Sequence, residues 1–162
     1  MALSINTLGD PVLRCVAKPV APGADDLMAI IKDMSSTLKA ANGLGLAAPQ
    51  VGVLKRLFIY DLGDGVRCFV NPEIIWRSEE TCEDTEGCLS IPGHEVVVVR
   101  HASVTLAGAD EYGSELEIKA EGLMARMFQH EIDHLDGVLI IDRASESERR
   151  QIMAEFIKED RK

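Results

Sequence analysis

The spacing of apolar residues divides the chain into regions of different periodicity. Leu27, Ile30, Ile31, Met34 and Leu38 recur every three or four positions, the interval that lines one face of an α-helix. A helix is therefore predicted over 26–41. Asp25 and Asp26 supply acidic or capping groups at its start, and Asn42-Gly43 is a stop signal. The residues before it, 1–24, are punctuated by Gly9, Pro11, Pro19, Pro22 and Gly23 and read as irregular. From 57 to 120 the pattern changes to short β-branched or alternating runs, and strands are predicted at 57–62, 66–70, 73–76, 95–99, 103–109 and 115–120. Helical spacing returns at Leu123, Met124, Met127, Phe128, Ile132 and Leu135, closed by Gly137. A last helix starts near Ser145, with Ser145 or Ser147 as its cap, and runs through Ile152, Met153, Phe156 and Ile157 to the end. Several strands in succession without intervening helices argue for antiparallel pairing. The expected fold is α+β: short antiparallel sheets around a central helix, with an N-terminal and a C-terminal helix, in one domain over 1–162.

Charge and composition narrow the function. The formal net charge is −10, so a protein that works by neutralising phosphates is disfavoured, and no sequence-specific nucleic-acid binding is expected. The hydrophobic share of 46% fits a packed globule rather than a disordered chain. No basic and apolar leader opens the chain and no apolar run is long enough to span a membrane, so a cytoplasmic protein is expected. In that compartment the four cysteines stay reduced. Cys15, Cys68 and Cys82 have no accompanying motif and read as small apolar side chains. The acidic run Glu79, Glu80, Glu83, Asp84 and Glu86 reads mostly as a solvated loop.

The sharpest chemical feature is His130-Glu131-Ile132-Asp133-His134. Residues four apart on a helix differ by about 40° in direction, so both imidazoles project from one face and can share a metal. Glu131 stands beside them, within reach of a water at that metal. Asp133 reads as a second-layer partner of a ligand histidine or as a solvated side chain. Two imidazoles leave a third ligand open. Glu146, Glu148, Glu155 or Glu159 would supply it in a downstream, thermolysin-like arrangement. Cys88, within Thr85-Glu86-Gly87-Cys88-Leu89-Ser90, would supply it from upstream as a thiolate. A third constellation, Gly43-Leu44-Gly45-Leu46-Ala47-Ala48-Pro49-Gln50, is too rich in glycine and proline for a helix. It lacks the third glycine and following helix of a dinucleotide fingerprint and the Gly-Lys-Ser/Thr of a phosphate loop. It lets a backbone approach a ligand closely, with the Gln50 amide at its end.

These three motifs, in this order and spacing, resemble the peptide deformylase family. The resemblance extends to Leu8–Arg14, Val70-Asn71-Pro72-Glu73 and Leu135–Leu139, and so covers nearly the whole chain. It implies that Cys88, His130 and His134 bind one divalent metal ion, Fe²⁺ natively, with Zn²⁺ or Ni²⁺ as substitutes. It implies that Glu131 is the general acid and base, and that Gln50 and the Leu89 N–H stabilise the oxyanion. It further implies that Gly43, Leu44, Gly45 and Gly87 hold the substrate backbone. The substrate would be an N-formyl-methionyl nascent peptide, losing formate. An apolar pocket for its methionine is expected from Leu44, Met124, Met127 and Phe128. Some members carry an arginine seven positions after the metal cysteine, whereas this chain has Glu95 there and its nearest arginine is Arg100. A monomer is expected, with transient ribosome contact through the C-terminal helix. Residues 143–162 hold six Lys/Arg against five Asp/Glu, in contrast to the acidic remainder. Two other classes compete: a silent module that recognises nascent N-termini, and an unrelated zinc protease.

Overall fold

The computed structural model describes residues 1–21 and 23–160. Pro22 and the last two positions of the final helix, as extended to the chain end by its apolar spacing, lie outside the described residues. Helix α1 spans Leu27–Ala41, and Asn42 ends it in the left-handed conformation. Asp26 occupies the N-cap position but makes no capping bond; its carboxylate is instead drawn to Lys55 at 2.8 Å. The irregular N-terminal segment contains a 3₁₀ turn at Pro11–Arg14, capped by Asp10.

Five strands form one antiparallel sheet: β1 (Gly45–Ala47), β2 (Leu57–Tyr60), β3 (Arg67–Arg77), β6 (Ser103–Ala109) and β7 (Glu115–Glu121). Strands β4 (Thr81–Cys88) and β5 (Ile91–His101) form a separate two-stranded ribbon. The two runs expected at 66–70 and 73–76 are one bulged strand, with Pro72 inside it and register shifts on either side of Glu73-Ile74. Strand β4 corrects the loop reading for Glu83, Asp84 and Glu86 of the acidic run, while Glu79 and Glu80 lie in the turn before it. Its exposed side chains accept acidic residues at no burial cost, and pairing with Val96–Arg100 of β5 satisfies its backbone.

All four residues of β2 are buried, because the sheet is covered on both faces. Phe58 and Tyr60 face helix α2 (Gly122–Leu135), with Phe69, Val104 and Leu106. Leu57 and Ile59 face α1, against Met34 and Leu38. A third apolar cluster joins Val96 and Val98 of β5 to Leu139, Ile140 and Ile141 and to the final helix α3 (Glu146–Asp160) through Ile152, Met153 and Phe156. Ser145 caps α3 by accepting from the Glu148 N–H at 3.2 Å. Helix α2 thus lies between the five-stranded sheet and the ribbon, and its polar face turns toward the ribbon. No helix among the described residues is long and apolar enough to cross a membrane.

Candidate active site

Helix α2 ends its apolar stripe with a polar set because that part of it faces a cleft. The cleft measures about 880 Å³ and is lined by β1, the end of β4, the start of β5 and α2. At its floor the ligand atoms of Cys88, His130 and His134 lie within 4.8 Å of one another. The Cys88 Sγ is 3.3 Å from His134 Nε2, and the two imidazoles sit edge to face with centroids 5.0 Å apart. Cys88 reaches the floor because the ribbon's register shifts between Gly87 and Cys88, where the tight turn to Ile91 begins.

Outer partners orient these groups. Glu86 is only 6% exposed. It accepts from Arg100 Nε and Nη2, both at 2.9 Å, from Arg126 Nη1 at 2.7 Å and from His130 Nδ1 at 2.9 Å. Burial works against its charged form, but the hydrogen bonds from Arg100 and His130 outweigh it and hold the carboxyl well below the usual range. An ionised carboxylate accepts only, so His130 donates from Nδ1 and turns Nε2 toward the ligand cluster. Burial also opposes protonation of His130, yet its contacts with Cys88 and Glu86 lift it to about 10. Burial and the neighbouring His130 push His134 well down.

Asp133 is not solvated. Arg100 Nη1 reaches it at 2.6 Å, and Arg143 donates at 2.6 and 2.8 Å from Nε and Nη2. Arg100 therefore bridges the carboxylate behind His130 to the carboxylate between the two histidines on α2. Glu131 is buried, and burial is the main cause that pushes its pKa up to about 7. Its Oε2 has no hydrogen-bond partner among the described residues. A side chain at Gly45 would put its Cβ 2.7 Å from Glu131 Oε1, so the carboxylate occupies the space that only glycine leaves.

Gln50 is buried in a 3₁₀ turn, Ala48–Val51, that follows β1. Its Oε1 accepts from the Ala47 N–H at 2.9 Å. That bond turns Nε2 toward Ser90 Oγ at 3.1 Å and Cys88 Sγ at 3.8 Å. Gly43, Leu44, Gly45, Gly87, Leu89 and Met127 all line the cleft. Phe128 does not: it is fully buried in the aromatic cluster, 5.3 Å from Tyr60 and 5.8 Å from Phe58 between ring centroids. Met124 packs against the same cluster. One helical position separates the two outcomes, since Leu123 and Met127 share the cleft-facing stripe with His130 while Met124 and Phe128 share the core stripe. The periodicity of α2 lacked a marker for which stripe faces the ligands. Arg126, Arg100 and Ser90 were not anticipated. Arg126 lies four residues before His130, a spacing that places it on the ligand face.

This fold and donor set define a class: an α+β protein with a Cys-His-His group that could hold a metal ion and a buried carboxylate beside it. The family model described as polypeptide deformylase matches residues 2–150. The chain is 48% identical over 143 residues to a peptide deformylase of Carboxydothermus hydrogenoformans, covering 88% of this chain and 93% of that protein. The crystal structure of a peptide deformylase from Legionella pneumophila superposes with a TM-score of 0.94 at 40% identity, covering 99% and 96% of the two chains. That of the Ehrlichia chaffeensis peptide deformylase in complex with actinonin gives 0.95 at 35% identity, covering 99% of each. The chain belongs to the peptide deformylase family: it is a hydrolase of protein biosynthesis, in a metal-dependent family that removes N-formyl groups from nascent peptides.

Proposed function

We propose that Cys88, His130 and His134 hold one divalent ion and that the cleft above them hydrolyses the formyl–nitrogen bond of N-formyl-methionyl peptides. The observation that carries this reading is the convergence of one thiol and two imidazoles within 4.8 Å, beside a buried carboxylate with a free oxygen. The donor set fits Fe²⁺ or Zn²⁺, and thiolate ligands suit both. When bound, the ion supplies Lewis acidity and makes hydroxide available near neutral pH.

The protein's own groups do the rest. Glu131 takes the proton of the attacking water at Oε2 and returns it to the leaving amine as formate departs. A pKa of about 7 suits a group that must do both. Gln50 Nε2 and the Leu89 N–H meet the negative charge that develops on the formyl oxygen. One such donor is worth roughly 3–4 kcal/mol. The fixed Gln50 amide needs no reorganisation to act, since Ala47 already holds its other end. Gly43, Leu44, Gly45 and Gly87 offer backbone groups to an extended substrate. The substrate methionine lies against Leu44, Leu123 and Met127, where flexible thioethers pack well.

Fe²⁺ is the proposed native ion, with Zn²⁺ and Ni²⁺ as replacements. A thiolate ligand adds negative charge and is itself oxidisable, so activity should be lost in air. The enzyme is proposed to act as a cytoplasmic monomer, with α3 offering a transient ribosome contact. Anaerobic purification, metal analysis and formate release from formyl-Met-Ala-Ser test the reading together. One equivalent of metal and stoichiometric formate are expected, and the lack of both would refute it.

A further inference from the structure

Four residues lining the cleft carry a carboxylate or a guanidinium: Glu86, Glu95, Arg126 and Glu131. Three are buried. Glu86 and Arg126 neutralise one another at 2.7 Å, and Glu131 lies at the ligand cluster. Glu95 differs. It is exposed at the cleft mouth, and it has no ion-pair partner among the described residues. The neighbouring His94 is turned elsewhere, toward Glu155 and Glu159 of α3 at 3.6 and 4.0 Å. No ion pair among the described residues therefore offsets the charge of Glu95.

Its position relative to the chemistry is set by the ribbon. Glu95 pairs across the strands with Gly87, the residue immediately before Cys88. Directly paired residues on antiparallel strands lie about 5 Å apart, so Glu95 stands within roughly three residues' length of the ligand cluster along an extended peptide. The exposed rim around it is uncharged: Pro92, Gly93, Thr85, Leu123 and Leu44. The chain as a whole carries a net charge of the same sign, −10.

We propose that Glu95 is a specificity-determining residue that favours substrates with a lysine or arginine in the two positions after the formyl-methionine and disfavours acidic ones. This rests on the deformylase reading, because the peptide must lie in the cleft with its formyl group at Cys88, His130 and His134. The pair would be solvent-exposed, so its effect is modest and sensitive to salt. At low ionic strength, kcat/KM for a lysine peptide should exceed that for the matching glutamate peptide on the order of threefold to tenfold, attraction and repulsion both contributing.

The test compares formate release from formyl-Met-Lys-Ala, formyl-Met-Ala-Lys and their glutamate counterparts, using the metal-loaded enzyme. The lysine-to-glutamate ratio should fall toward one in Glu95→Gln and invert in Glu95→Lys. It should also shrink in the unaltered enzyme as sodium chloride rises to 0.5 M, a measurement that needs no variant to fold. A ratio near one in the unaltered enzyme, or a ratio that survives Glu95→Gln or high salt, overturns the proposal while leaving the deformylase reading intact. No formate from any peptide overturns both.

Discussion

Replacing Glu86 by Gln is the most informative perturbation of the layer behind the ligands. Glu86 accepts four hydrogen bonds from three groups: two from Arg100, one from Arg126 and one from His130. A glutamine keeps one acceptor oxygen and turns an NH₂ toward donors at the other. It also strips the negative charge from a site where Arg100 and Arg126 are 4% and 7% exposed. Breaking a buried ion pair by removing one partner costs about 3–5 kcal/mol, and the retained oxygen puts this change near the lower end. For a chain of this size that is a fall in Tm of roughly 6–12 °C. The pH dependence gives a second, independent number. The pKa of Glu86 is held below its ordinary value of 4.5 in the folded chain, so its ionised form stabilises the fold above that pH. The contribution is lost as pH falls below 4.5 toward the folded value. Urea melts at pH 7 and pH 4, with chelator present so that metal affinity does not enter, should show the unaltered chain losing more stability on acidification than the variant. A variant within 1 kcal/mol of the parent at pH 7, or one with the same loss between the two pH values, would refute the assignment of Glu86 as an ionised, stabilising hub.

Other substitutions separate catalysis, positioning and packing. Glu131→Ala should retain one equivalent of metal by elemental analysis while formate release falls by at least 10², the scale of general acid–base catalysis. Gly45→Ala should lower kcat at least tenfold in steady-state formate assays without loss of metal, because the new methyl group displaces the Glu131 carboxylate from 2.7 Å away. Phe128→Ala should cost about 3–5 kcal/mol in denaturant melts and leave the lysine-to-glutamate peptide preference unchanged, since the ring contacts Phe58, Tyr60 and Phe69 and not the cleft. Cys88→Ala should abolish metal binding by titration; stoichiometric uptake would mean a different third ligand.

The sequence was most legible where periodicity and punctuation agree. Helix α1 stops at Asn42 because Asn-Gly tolerates the left-handed turn that the next strand requires, and its apolar positions face the sheet as spaced. The His-Glu-x-x-His spacing likewise survives folding because an α-helix is a local object. What failed to show was the side of α2 on which Met124 and Phe128 lie. An apolar residue fits either a core stripe or a methionine pocket, and only the placement of the five-stranded sheet decides between them. Strands β3 and β4 were misjudged for the opposite reason. A proline and a glutamate-rich run both argue against strands when taken alone, yet bulges absorb the first and an exposed face absorbs the second.

Glu86 shows why charge patterns mislead in this chain. It closes an acidic run whose other members, Glu79, Glu80, Glu83 and Asp84, are exposed, and nothing local marks it as different. Its arginine partners come from 14 and 40 residues away in sequence, on β5 and α2. The sheet alternation turns Glu86 inward at the point where the ribbon crosses α2, so a carboxylate enters the interior only because Arg100 and Arg126 arrive with it. Glu86, held by the two arginines, then accepts from His130 Nδ1 and orients its ring. Stability and metal-site geometry therefore depend on the same hydrogen bonds, and a change that relaxes one disturbs the other. Glu95 lies on the neighbouring strand with its side chain in water, free of that constraint, so substrate preference can be altered there without disturbing the buried ion pairs.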